Sequence, residues 1–280
     1  MASKMSSNQS NSKMTDLKTL QSFLSENPRI VVLTGAGISL DAGIPTYRDE
    51  HGKWRHSEPI QHHEFLNEHR RRQRYWLRSM KGWPLVGKSQ PTKAHSALAA
   101  LEQRGNIELL ITQNVDRLHQ RAGSENVIDL HGRLDKVLCL QCGARQNRDA
   151  VQQQMNLHNT IESAESVKLP DGDAELDSEL EEKFIVPICG ECDGTLKPDV
   201  VFFGGTVPRE RVQECMNAID RADALLTIGS SLQVYSGFRF CKRTVELGKP
   251  LVTINPGKTR ADDIAHLKIQ ADCQELLSSL

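Results

Sequence analysis

Short uninterrupted apolar runs, each ending in small or polar residues, recur along this chain. Arg29–Thr34 leads into Gly35-Ala-Gly37, and similar runs occupy Ile107–Thr112, Val127–Leu130, Ala224–Ile228 and Leu251–Ile254. Apolar runs of this length without alternation predict strands covered on both faces, as in a parallel sheet. Helical spacing lies between them. Leu17, Leu20 and Leu24 share one face of an opening helix, and Thr92–Gln103, Pro208–Arg221 and Phe238–Leu247 predict three more. Strands alternating with helices predict an α/β fold, a Rossmann-like doubly wound parallel sheet.

Two segments interrupt the alternation. Residues from about 51 to 91 are rich in His, Arg and Trp, and those from about 136 to 197 carry two cysteine pairs; within the latter, Glu162–Glu182 holds nine acids against Lys168 alone. The expected architecture is therefore a sheet lobe (about 14–50, 92–135 and 198–280) with a smaller lobe inserted, made of a helical module (51–91) and a zinc module (136–197). Residues 1–13 are Ser-rich and polar, and read as a disordered tail.

Composition removes several classes. Across 280 residues, 35 Lys+Arg stand against 36 Asp+Glu for a net charge of −1, which speaks against a strongly basic nucleic-acid binder. The six basic residues of Arg70–Lys81 read as a solvated helix face, so no nucleic-acid partner is expected. No stretch of 18 apolar residues occurs, so no membrane span is expected. The N-terminus lacks an apolar secretory core, which points to a cytoplasmic location, with the mitochondrial matrix as the alternative because the tail is Ser-rich and acid-poor.

Cys139-Leu-Gln-Cys142 and Cys189-Gly-Glu-Cys192 pair four of the seven cysteines. Without a secretion signal, such pairs favour metal over disulfides, and two C-x-x-C turns complete a tetrahedral four-sulfur zinc site. A thioredoxin-like redox pair is the rival, but it would want one such unit, not two. A closed four-thiolate site leaves no position for water, so one structural zinc ion is expected and no catalytic metal. Cys215, Cys241 and Cys273 are scattered.

The strand ends carry the candidate chemistry. Gly35-Ala-Gly37-Ile38-Ser39 follows a strand, where a Gly-rich turn lets backbone N–H groups approach a pyrophosphate. A dehydrogenase fingerprint would need a small residue where Leu40 stands, and an acidic residue ending a second strand about 20 residues on. Polar residues follow the next strands: Gln113-Asn114-Val115-Asp116, His131-Gly132, Gly229-Ser230-Ser231 and Asn255-Pro256-Gly257. In open α/β sheets, ligands bind beyond the carboxyl ends of the strands, and a His there can serve as a general base near neutral pH.

Taken in order, GAGIS (35–39), AGIP (42–45) with Tyr47-Arg48, TQNVD (112–116), LHG (130–132), the paired C-x-x-C, KPDVVFFG (197–204), GSSL (229–232) and INPG (254–257) resemble the sirtuin family over about residues 17–280. Within it the chain looks most like the class II branch, which includes the mitochondrial sirtuin-four proteins. The segments that carry this are Arg72–Trp76, Gly82-Trp-Pro84, Leu138–Leu140, Pro170–Asp173 and Ser231–Gly237.

The resemblance implies an NAD-dependent protein-lysine deacylase, acting on acetyl or on longer or acidic acyl groups, with NAD as a consumed co-substrate. Gly35, Ala36, Gly37, Ile38, Ser39, Ala42 and Gly43 would form the pyrophosphate turn, with Tyr47 and Arg48 on a loop closing over NAD. Gln113, Asn114, Val115 and Asp116 would line the nicotinamide and ribose pocket. His131, with Asn114 and Asp116, would be catalytic, His131 as general base on a ribose hydroxyl as the acyl group passes to ADP-ribose. Gly229, Ser230, Ser231, Asn255, Pro256, Gly257 and Cys273 would contact the adenosine half. Val201, Phe202, Phe203 and Gly204 would pair with the backbone of an acyl-lysine protein substrate as an added strand. A monomer is expected.

Tyr75-Trp-Leu-Arg78 resembles the Tyr-x-x-Arg pair with which another sirtuin branch reads acidic acyl chains, which implies a preference for glutaryl-like groups; packing within the helical module is the other reading. The chain departs from the family pattern at Arg117 (Gly is frequent), Gly205 (an acid is frequent) and Ser236 (Pro is frequent). Protein mono-ADP-ribosyl transfer from the same site is the nearest rival, and a non-catalytic NAD- or ADP-ribose-sensing module is a rival of another class.

Overall fold

Five of the apolar runs are strands of one parallel sheet, covered on both faces by helices. The computed structural model describes residues 2–47, 49, 59–160 and 178–280. The first elements in chain order are α1 (Ala2–Glu26), β1 (Ile30–Thr34), a 3-10 helix (Ala36–Ala42), α2 (His62–Asn67), α3 (His69–Lys88), α4 (Lys93–Gln103) and β2 (Ile107–Thr112). There follow α5 (Leu118–Arg121), β3 (Val127–Asp129), β4 (Gly132–Cys139), β5 (Arg145–Asn147), α6 (Arg148–His158), α7 (Ser178–Lys183) and β6 (Leu196–Val200). The chain ends with α8 (Arg209–Arg221), β7 (Ala224–Ile228), α9 (Tyr235–Glu246), β8 (Leu251–Ile254), β9 (Leu267–Ile269) and α10 (Cys273–Leu277).

The main sheet has the order β3-β2-β1-β7-β8-β9, with every pairing parallel. Alternate residues of each strand enter opposite cores. Val32, Leu110 and Leu226 meet Leu20 and Phe23 of α1 and Leu98 of α4. Val31, Leu33 and Leu109 meet Ile219 of α8 and Phe240 of α9. The edge strand β9 was not visible in the apolar pattern because it is three residues long and only Ile269 is buried.

The segment expected as a disordered tail is helical, since α1 begins at Ala2. Leu20 and Phe23 anchor the helix to the sheet core, and extending an anchored helix costs far less than nucleating one.

The inserted segments form a second lobe around a three-stranded antiparallel sheet, β5-β4-β6. Phe65, Tyr75 and Trp76 from the helical module pack with Val137, Met155, Phe184 and Leu196 from the zinc module in one core. The two modules are thus one packed body. Between the lobes, Gly132 has φ 86° and a Cβ there would lie 2.1 Å from the Asp199 carbonyl oxygen, so only glycine fits. Among the described residues, no helix is long and apolar enough to cross a membrane.

Candidate functional site

The strand order reverses between β1 and β7, and at such a switch point the connections leave in opposite directions and open a crevice. The Gly35–Gly37 turn follows β1 there, and Gly229-Ser230-Ser231 follows β7. Gly37 N donates to Gly229 O at 2.8 Å, and a Cβ on Gly35 would lie 2.7 Å from Ser230 Cβ. The two loops meet closely because glycine occupies both.

A cavity of about 680 Å³ extends from this crevice to the small lobe, a volume that suits a ligand well above water size. Gly35, Ala36 and Gly37 line it, with Tyr47, Gln113, Asn114, Val115 and His131 further in. Gly229, Ser230 and Ser231 line it from β7, and Asn255, Pro256, Gly257 and Cys273 from the far end. Tyr75 and Val201–Gly204 close it on the small-lobe side. This donor set of glycine turns, hydroxyls and amides fits a dinucleotide.

Five of the candidate NAD-site residues stand behind the lining. Ile38 is in the sheet core, Ala42 packs beside Ile44 and Val86, and Gly43 ends the 3-10 helix with φ 81°. Ser39 and Asp116 are buried and bonded to each other, Ser39 Oγ donating to Asp116 Oδ2 at 2.7 Å. Asn114 Nδ2 reaches both Gly35 O and Ser39 Oγ at 3.1 Å. Asp116 Oδ1 also accepts from Leu118 N at 2.9 Å. Burial pushes the Asp116 carboxyl up, while these hydrogen bonds and the Arg121 charge oppose the shift. Asp116 therefore acts on the cavity through Ser39 and Asn114. Arg48 lies outside the described residues, as do residues 170–173.

His131 follows β3. Its Nδ1 lies 3.0 Å from the Gln113 carbonyl oxygen and its Nε2 2.7 Å from Ser236 Oγ. A carbonyl only accepts, so Nδ1 carries the hydrogen and Nε2 the lone pair. Burial lowers the His131 pKa to about 4, with the Arg211 charge adding to it and the Gln113 hydrogen bond opposing. The ring is neutral at physiological pH, as a general base must be. Gln113 is itself fixed, its Nε2 donating to Ser230 Oγ at 2.8 Å.

On the small-lobe side, Val201 N donates to His131 O at 2.7 Å and His62 N to Phe203 O at 2.7 Å. Phe202 is buried against Phe65 and Tyr75, with ring centroids 5.0 and 5.1 Å away. Tyr75 and Arg78 are not brought together at the cavity. Arg78 is absent from its lining, and its Nε faces Glu181 Oε1 at 4.0 Å, both side chains buried. This placement puts Tyr75 but not Arg78 on the cavity wall, and packing within the helical module, the other reading, accounts for Arg78.

The three departures have structural reasons. Arg117 holds φ 66°, the region that favours glycine, and its guanidinium pairs with Asp129. At Gly205 a Cβ would lie 2.9 Å from Phe202 O, leaving no room for a carboxylate. Ser236 touches His131. Sequence reasoning noted it only as a departure, and missed Leu134, Val234, Tyr235 and Arg239, which also line the cavity.

The four paired cysteines converge. Cys139 and Cys192 sulfurs are 3.6 Å apart, those of Cys142 and Cys189 3.8 Å, and all four lie within 4.8 Å of one another. A tetrahedral zinc with metal–sulfur bonds of about 2.3 Å needs sulfurs about 3.8 Å apart. Gly194 makes room for it, since a Cβ there would lie 2.8 Å from Cys139 Sγ. The cluster fits a structural zinc and lies apart from the cavity lining.

A model of the Sir2 family matches residues 35–236. The NAD-dependent protein deacetylase of Bordetella bronchiseptica is 50% identical over 96% of this chain and 98% of its own length. That of Xanthomonas campestris pv. campestris (strain B100) is 51% identical over 93% of this chain and 89% of its own. Among solved structures, a Sir2 complex with a p53 peptide and NAD+ superposes with TM-score 0.74 at 32% identity, covering 94% of this chain and 96% of that one.

Proposed function

The chain belongs to the Sir2 family, the sirtuins, and is an NAD-dependent protein deacetylase; from that premise we propose how its residues divide the work. NAD supplies an electrophilic ribose carbon once nicotinamide departs. The Gly35–Gly37 turn holds the pyrophosphate, and Ser230, Ser231, Asn255, Gly257 and Cys273 hold the adenosine half. Asn114, oriented by Ser39 and Asp116, positions the nicotinamide ribose. His131 takes a proton at Nε2 from a ribose hydroxyl. Val201–Gly204 present backbone to the acyl-lysine peptide.

The observation that carries this reading is His131, neutral and with Nε2 directed at Ser236 on the cavity wall. It disfavours a non-catalytic sensing module, which would need no base there. We extend the reading to short uncharged acyl groups, because Arg78 is buried off the cavity lining with Glu181 facing its Nε at 4.0 Å. We also place the chain in the class II branch, on Arg72–Trp76, Gly82–Pro84 and Ser231–Gly237, and in a reducing, cytoplasmic setting, consistent with seven cysteines that are not paired as disulfides.

Product mass tests the proposal against ADP-ribosyl transfer. With NAD and an acetylated protein, free lysine with O-acetyl-ADP-ribose supports deacetylation; a protein heavier by one ADP-ribose would replace it.

A further inference from the structure

We propose that Ser236 is a positioning residue for the general base: it holds His131 in its neutral, Nδ1-protonated form and covers the Nε2 lone pair until a ribose hydroxyl takes its place. The inference rests on the deacetylase reading above.

The ring is gripped from both sides. On one side the Gln113 carbonyl, 3.0 Å from Nδ1, can only accept, so it keeps the hydrogen there. On the other, Ser236 Oγ is 2.7 Å from Nε2, and with a lone pair facing it the hydroxyl donates. The two grips come from different elements. Gln113 directly follows β2, while Ser236 is the second residue of α9, whose Phe240 and Cys241 are fully buried against the sheet. Neither partner can drift without moving an element of the core.

Among the described residues, no carboxylate hydrogen-bonds the ring. The charge that acts on it is Arg211 of α8, whose Nη1 donates to Leu130 O at 3.1 Å, while Arg239, one turn along α9 from Ser236, and Asp49 and Asp272 line the same cavity. While Nε2 is unprotonated, Ser236 donates to it, a contact that favours the neutral ring. When Nε2 takes the ribose proton, one O–H bond breaks and one N–H bond forms, and Ser236 keeps its own hydrogen.

The test is kcat/KM for NAD in deacetylated-peptide formation across about pH 3.5–8, with kcat and KM also resolved at neutral pH, in Ser236→Ala, Ser236→Pro and Ser236→Thr. Proline is sterically acceptable in the first turn of a helix. Losing the donor to the neutral ring raises the base's pKa. The acid limb of kcat/KM should therefore move up by roughly half to one pH unit in the Ala and Pro variants. Their kcat at neutral pH should fall about 3- to 10-fold with the NAD KM little changed. Ser236→Thr, which keeps a hydroxyl, should retain the wild-type limb. An unmoved limb in Ala and Pro, or a Thr variant that moves with them, overturns the proposal. A wild type that forms no deacetylated peptide overturns the deacetylase reading as well.

Discussion

Arg78 and Glu181 face each other inside the small lobe, Arg78 Nε 4.0 Å from Glu181 Oε1, and neither lines the cavity. Arg74 Nε approaches the same carboxylate oxygen at 3.7 Å. An acidic acyl chain therefore finds no cation at position 78. Acetyl-lysine peptides should be turned over faster than glutaryl-lysine peptides. Arg78→Gln should leave that ratio unchanged and instead lower stability by about 1 kcal/mol, since Arg74 still pairs with Glu181. A glutaryl preference lost in the variant would reverse this conclusion.

Arg117 holds left-handed backbone and pairs with Asp129. Burial pushes the Asp129 carboxyl up, and Arg117 is the main opposing charge. Replacing Arg117 by Ala or Gly loses the pair equally, but only glycine relieves the backbone. Arg117→Gly should be more stable than Arg117→Ala by about 1 kcal/mol. Urea denaturation of both variants checks this, and the opposite order would contradict it.

His95 and His119 are buried with ring centroids 4.6 Å apart. His95 Nδ1 accepts from Thr92 N at 3.2 Å, and burial lowers its pKa to about 4. Its folded pKa lies below the unfolded value of about 6.5, so the unfolded chain binds the extra proton. Stability should fall as pH drops from 6.5 to 4, by at most about 3 kcal/mol from this site. Urea midpoints measured along that range should fall less steeply in His95→Gln; an identical slope would show that His95 contributes nothing.

Cys139 and Cys189 belong to the small-lobe core as well as to the four-sulfur cluster. A strong chelator should therefore loosen the small lobe, lowering the melting temperature and abolishing activity, and added zinc should restore both. Full activity in zinc-free protein would contradict a structural role.

The main sheet was legible because its strands are buried on both faces, as in Ile30–Thr34, and so appear as unbroken apolar runs. The small sheet was not. Strand β5 is Arg145–Asn147, polar and three residues long, and β4 pairs with β6 across the whole zinc module. Helix α3 runs to Lys88 through Gly82 and Pro84, residue types that disfavour a helix interior. Trp83 packs against Arg148 there and donates from Nε1 to Asp149 Oδ1 at 2.7 Å. At the site, the strand-end residues were legible because open α/β sheets bind ligands there. Ser236 was not, because its role depends on α9 lying over a histidine 105 residues away in sequence.

The most direct measurement is the rate of deacetylated-peptide formation from an acetyl-lysine peptide and NAD, comparing wild type with His131→Ala. The account predicts NAD-dependent turnover in the wild type and a loss of at least about 100-fold in the variant, with NAD binding retained. Turnover without NAD, or a variant as active as the wild type, would contradict it.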